Sequence, residues 1–146
     1  MFREAGAADF AGVMRLYEHL HPQDPVVAEE VAAVAYDQIL RMPGMHLFVI
    51  EDAGMLIATT YLNVIPNLAR GAAPYGVVEN VVVDSGRRGT GVGKAIMAGT
   101  LQAAWDAGCY KVMLATGSKR ESTLAYYRAC GFQQGVKTGF IAYPPA

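Results

Sequence analysis

Apolar residues recur along this chain at two spacings, near 3.6 and near 2, and the switches between them mark its elements. Phe10, Val13, Leu16, Tyr17 and Leu20 share one face of a helix for which Asp9 is a suitable N-cap, after a short strand over Met1 to Ala5. His21-Pro22-Gln23-Asp24-Pro25 stops that helix. A second runs from about Val26 to Leu40, with Val27, Val31, Val34, Ile39 and Met42 near helical spacing, and Pro43-Gly44 ends it. His46 to Glu51 and Met55 to Val64 are strands around Asp52-Ala53-Gly54, a hairpin turn with glycine where a positive φ is wanted.

Pro66 to Pro74 is a loop that feeds the valine strand Val77-Val78-Glu79-Asn80-Val81-Val82-Val83. A glycine-dense loop then opens a long helix whose predicted buried face is Val92, Ile96, Met97, Leu101, Ala104 and Trp105, closed by Gly108. Lys111 to Ala115 reads as a strand and Glu121 to Cys130 as a helix. Phe132 to Tyr143 reads as one or two final strands, with Gly135 and Gly139 as bends. No repeat or low-complexity linker divides the chain, so one domain over residues 1–146 is predicted, with helices and strands alternating as in mixed α/β proteins.

Composition narrows the class without choosing a function. With 53% hydrophobic and 17% charged residues, the 146-residue chain is globular rather than disordered. A net charge of −1 gives no electrostatic reason to expect nucleic acid or an anionic membrane as partner, so any anion binding is local. Cys109 and Cys130 are too few for a disulfide framework, and His19, His21 and His46 form no metal-ligand spacing, so no metal is expected. Met1-Phe2-Arg3-Glu4 does not start a signal peptide, and no apolar run approaches the roughly 20 residues that span a bilayer. The expected setting is cytoplasmic and reducing.

The chemistry concentrates at Asp84-Ser85-Gly86-Arg87-Arg88-Gly89-Thr90-Gly91-Val92-Gly93-Lys94, between the valine strand and the long helix. Strand, glycine-rich turn and helix start gather backbone N–H groups at the positive end of a helix dipole, a site for phosphate. Arg87, Arg88 and Lys94 add full charges. A magnesium-nucleotide loop fails because Gly93-Lys94 is followed by Ala95 and the position five before Gly93 is Arg88. The dinucleotide pattern fails because Lys94 or Ile96 stands where its third glycine belongs. What remains is an Arg three residues ahead of the second glycine of a G-x-G-x-G run, Arg88-Gly89-Thr90-Gly91-Val92-Gly93.

That loop resembles the coenzyme A pyrophosphate loop of the GNAT superfamily of N-acetyltransferases, Q/R-x-x-G-x-G/A. Tyr126-Tyr127-Arg128-Ala129-Cys130-Gly131-Phe132 is similar to the family's F-Y-x-x-x-G-F element. The segment from Val78 to Val83, with Cys109-Tyr110-Lys111-Val112, is similar to the glucosamine 6-phosphate N-acetyltransferase branch, where Asp is usual at the position of Asn80. The resemblance implies a mixed, mostly antiparallel sheet of six to seven strands with helices on both faces. It implies acetyl-CoA as cofactor, bound by the backbone of Val81, Val82 and Val83 and by Arg88, Gly89, Thr90, Gly91, Val92, Gly93 and Lys94.

It further implies that Tyr127 protonates the leaving thiolate, while Glu79, a lone carboxylate in the valine run, is the candidate to accept the ammonium proton, directly or through water. Glu79 shares a strand face with Val77 and Val81 if no bulge intervenes, and burial among valines would raise its pKa toward that of a useful base. A bulge would reassign the faces and bring Asn80 forward. The implied acceptor pocket nominates His21, Asp24, Tyr61, Asn67 and Arg70 beside Asn80, with Arg70 able to pair with an acceptor phosphate or carboxylate. The expected reaction is direct acetyl transfer to the primary amine of a small molecule. A protein N-terminus as acceptor and a coenzyme A sensor without turnover remain open, as does the acceptor's identity. The apolar tail Phe140-Ile141-Ala142-Tyr143-Pro144-Pro145 is a candidate homodimer contact.

Overall fold

The computed structural model describes residues 1–146 and pairs five strands into one sheet in chain order. These are β1 (Phe2–Glu4), β2 (Met45–Asp52), β3 (Met55–Ile65), β4 (Tyr75–Val83) and β5 (Val112–Met113). The first three junctions are antiparallel and β4–β5 is parallel. Helices α1 (Phe10–Tyr17) and α2 (Glu29–Arg41) connect β1 to β2, α3 (Val92–Asp106) connects β4 to β5, and α4 (Glu121–Ala129) follows. The chain forms two compact units, Met1–Leu114 with the sheet and α1 to α3, and Ala115–Ala146 with α4.

Side-chain alternation along the strands gives the sheet two apolar faces. On one, Leu47, Val49, Leu56 and Val82 pack with Val13 and Leu16 of α1 and Tyr36 of α2. The other receives α3 through the fully buried Ile96 and Met97 and through Thr100, whose hydroxyl bonds that of Thr60 at 2.6 Å and donates to the Ile96 carbonyl at 2.8 Å. Buried hydroxyls need such partners, and Thr59 finds its own in the Phe48 carbonyl at 2.9 Å. Leu16 and Leu62 retain no exposed surface, and each such side chain stabilises the fold by about 2 kcal/mol.

Four expectations need correction. Asp9 stands at the N-cap position of α1, but its side chain makes no capping bond to that helix. A 3-10 turn at Ala7–Asp9 precedes the helix, and the Asp9 carboxylate reaches back to the Gly6 N–H at 2.8 Å and to Arg3 at 2.7 and 2.9 Å. On α2 the valines lose to a second stripe: Tyr36, Ile39 and Leu40 face the core, while Val27, Val31 and Val34 stay at least half exposed. The Tyr36 ring packs edge-on to Phe10 and its hydroxyl donates to the Gly6 carbonyl at 2.7 Å, contacts a valine face cannot make. Trp105, about 100° round the helix from Ala104, falls outside the Ile96–Thr100–Ala104 stripe and is 45% exposed.

The sheet has five strands, because no strand forms after Phe132. Val136, Phe140, Ile141 and Tyr143 are exposed, and their own unit contains no other strand for them to pair with. Strand propensity depends on a partner.

Candidate active site

β4 pairs with β5 only at Gly76–Val112 and Val77–Met113, so from Val78 onward that side of β4 has no strand partner. Such an edge suits an extended ligand that completes the ladder. On its other side the register jumps from Tyr61–Glu79 to Thr59–Val82, leaving Asn80 and Val81 together opposite Thr60. This bulge carries Asn80 at φ +51°, a left-handed conformation that Asn tolerates better than most side chains.

The extra residue reverses the alternation. Glu79 therefore shares its face with Val77 and Val82 rather than with Val81, and it is exposed, so the burial expected for it is absent. Opposite it stands Tyr61, whose hydroxyl donates to the Met45 sulfur at 2.9 Å. Burial raises the pKa of Tyr17 of α1, as it does that of Tyr61, and Asn80 at the bulge comes near the Tyr17 hydroxyl and offsets part of that rise. Both phenols are thus protonated at neutral pH. Tyr17 was not among the candidates, since only the bulge brings α1 and Asn80 together.

After β4, Asp84 caps a 3-10 turn at Ser85–Arg87 by accepting from the Gly86 N–H at 3.0 Å. Gly89 and Gly91 hold φ of +75° and +89°, and Ala95 donates to the Gly91 carbonyl at 3.0 Å as α3 begins. The helix start and both left-handed glycines thus lie in one turn of chain, the arrangement that receives a diphosphate. Arg88 and Lys94 are exposed beside it, while Arg87 is paired with Asp52 at 2.7 Å and adds no free charge.

Before β4, three successive residues are left-handed: Arg70 (φ +55°), Gly71 (+67°) and Ala72 (+60°). Asn67 braces this loop by accepting from the Ala69 N–H at 3.3 Å. Arg70 lies 6.0 Å from the centroid of the Tyr110 ring, and the Lys111 ammonium lies 5.3 Å from the same ring and 5.5 Å from that of Tyr75. Two cations thus share one aromatic platform at the closed end of the splay, where the β4–β5 pairing begins. Tyr75, Tyr110 and Lys111 were not among the acceptor-pocket candidates, because only that parallel pairing juxtaposes them with Arg70. His21 and Asp24 sit apart, in the exposed segment after α1.

The profile of the acetyltransferase (GNAT) family matches residues 13–132. The chain belongs to the GNAT acetyltransferase family. It is 30% identical over 128 residues to the glucosamine 6-phosphate N-acetyltransferase of Trypanosoma brucei brucei, covering 86% of this chain and 84% of that one. Glucosamine 6-phosphate N-acetyltransferase 1 of Oryza sativa subsp. japonica is 30% identical over 132 residues, 88% of this chain and 78% of the relative. A solved structure from Agrobacterium tumefaciens str. C58 superimposes with a TM-score of 0.94 at 40% identity, over 99% of each chain.

Acetyl-CoA is the donor substrate of GNAT acetyltransferases, and the residues present fit it: an unpaired strand edge for its extended arm, and a glycine-turned helix start for its diphosphate. The GNAT motif tyrosine, Tyr127, lies on α4 in the second unit, its ring edge-on to Phe132 with centroids 6.2 Å apart. Its neighbour Tyr126 is half-buried, and desolvation raises its phenol pKa. No group of three or more His, Cys, Asp or Glu is placed to hold a metal ion, and no helix is long and apolar enough to cross a membrane.

Proposed function

We propose that this GNAT enzyme acetylates the primary amine of a small anionic acceptor, with an amino-sugar phosphate as the first compound to test. One observation carries the anionic part. Arg70 and Lys111 converge on Tyr110 with neither in an ion pair, a local excess of positive charge on a chain whose net charge is −1. The names of the relatives point the same way, while Asn80 in place of the usual Asp argues for testing rather than transferring their substrate.

Acetyl-CoA supplies the acetyl thioester. In the reading we favour, Glu79 takes the ammonium proton, directly or through water, and the freed amine attacks the thioester carbon. The Val81 N–H faces the developing oxyanion, the Tyr127 hydroxyl gives its proton to the departing sulfur, and the second proton shed by the acylated nitrogen restores the phenol, so one C–N bond forms as one C–S bond breaks. Residues 1–146 act as one domain in this account, since the family match spans both units. The exposed tail carrying Phe140, Ile141 and Tyr143 is read as a dimer contact with a second copy, for which light scattering should return twice the chain mass.

Thiol release from acetyl-CoA over a panel of amines tests the proposal. Glucosamine 6-phosphate should outperform glucosamine, and Arg70→Ala with Lys111→Ala should raise the KM of the phosphorylated acceptor about 10- to 100-fold while leaving that of the neutral one alone. Equal use of both amines would remove the anionic acceptor. Tyr127→Phe should lower kcat about 100-fold.

A further inference from the structure

We propose that Arg15 is a positioning residue for acetyl-CoA, holding the loop of residues 84–91 in its binding shape before the cofactor arrives; the inference rests on reading that loop as the diphosphate site. Arg15 stands on α1, outside every motif noted above. Its guanidinium donates through Nη1 to Asp84 Oδ2 at 2.9 Å and through Nη2 to the Leu56 carbonyl at 2.5 Å. Asp84 passes the constraint on, since its other oxygen accepts from the Gly86 N–H at 3.0 Å and its own N–H donates to the Ile57 carbonyl at 2.9 Å. A planar fork spanning two acceptors fixes direction as well as distance, which a lysine cannot do.

Two further ties complete the brace. The Arg87–Asp52 pair fastens the far side of the turn to the β2–β3 hairpin, and the Thr90 hydroxyl closes onto the Arg87 carbonyl at 2.5 Å. Side chains from α1 and the hairpin, neither of them part of the loop, thus hold a segment that carries glycines at 86, 89 and 91. Left to itself such a segment samples many shapes, and ordering it costs backbone entropy. The brace moves that ordering from the binding step to folding, so it belongs in cofactor affinity.

Arg15 lines an open groove of about 380 Å³ between α1 and the hairpin, so truncating it leaves no void in the core.

The test compares wild type, Arg15→Met, Arg15→Lys, Asp84→Asn and the Arg15→Met/Asp84→Asn double variant. Arg15→Met should raise the acetyl-CoA KM and the calorimetric Kd for free coenzyme A about 5- to 10-fold, with kcat and acceptor KM within twofold of wild type. Arg15→Lys should recover part of the loss, and the double variant should be no worse than Arg15→Met. Without any cofactor, amides of residues 86–91 should exchange hydrogen faster in Arg15→Met while those of Val49 and Ile96 keep their protection. Unchanged loop exchange, or a fall in kcat with the acetyl-CoA KM untouched, overturns the proposal. Failure of the wild type to bind coenzyme A would instead sink the diphosphate reading, and loop exchange would still decide whether the brace exists.

Discussion

β4 is bounded by two loops of similar length that are built on opposite principles. The loop after it has glycine at each of its left-handed positions, 89 and 91, and is tied down by ion pairs from outside: Asp84 to Arg15 and Arg87 to Asp52. The loop before it puts Arg70 and Ala72 into the left-handed region beside Gly71, and its charges, Arg70 and the neighbouring Lys111, rest on aromatic rings rather than on carboxylates. The first arrangement suits a ligand that never changes. The second leaves strain and unpaired charge where we propose that the acceptor binds, and strain of this kind persists only where surrounding structure enforces it.

The largest effect should come from destroying the conformation of the loop after β4. At φ +89° Gly91 has open space around the position of a Cβ, so substitution there is opposed by backbone strain rather than by a clash. A β-branched residue in that region is strained by about 1–2 kcal/mol, and the loop relieves it by leaving the shape that aims its amides. Gly91→Val should therefore weaken coenzyme A binding by at least about 100-fold while thermal unfolding stays cooperative. Binding within fivefold of wild type would show that the charged side chains, not the turn, hold the diphosphate.

Acid should separate the two loops next. Hydrogen bonding by Arg15 and then by the Gly86 N–H holds the Asp84 pKa below the usual carboxylate value, with the His19 charge acting in the same direction. A lowered folded-state pKa contributes stability that is full above the unfolded value of about 3.9 and is lost as pH falls through the folded one. Asp9, lowered chiefly by Arg3, behaves likewise at the edge of the sheet. Urea midpoints between pH 6 and pH 2.5 should fall for wild type and fall less steeply for Asp84→Asn. Arg70→Ala, in a loop without carboxylates, should follow the wild-type slope; a parallel Asp84→Asn curve would mean that the brace carries no charge coupling.

The two loops were also unequally legible. The loop after β4 announces itself because glycines, arginines and helix start are consecutive, and local geometry alone makes them a candidate site. Residues whose roles depend on pairing across the sheet stayed hidden. The bulge at Asn80 reversed the face of Glu79 relative to Val81, and a two-residue β5 set Lys111 beside Tyr75. Nothing adjacent to Arg15 in the sequence marks it, since its partner Asp84 lies 69 positions away. The missing last strand has a related cause, because apolar alternation specifies a strand only where another edge is present to receive it.

The smallest effect is the most pointed test of the loop before β4. Ala72 at φ +60° is less favourable than glycine by about 1 kcal/mol in the folded chain, while glycine costs roughly 0.5 kcal/mol more to order from the unfolded one. Ala72→Gly should therefore raise the unfolding free energy by a few tenths of a kcal/mol, read from the urea midpoint at constant m. If the strain serves to hold Arg70 against Tyr110, the same variant should raise the acceptor KM about 2- to 3-fold and leave the acetyl-CoA KM unchanged, since relaxing the turn loosens only the acceptor side. A stabilised enzyme with unaltered acceptor KM would show that the left-handed turn is a tolerated defect, and the contrast between the two loops would then reduce to the ion pairs after β4.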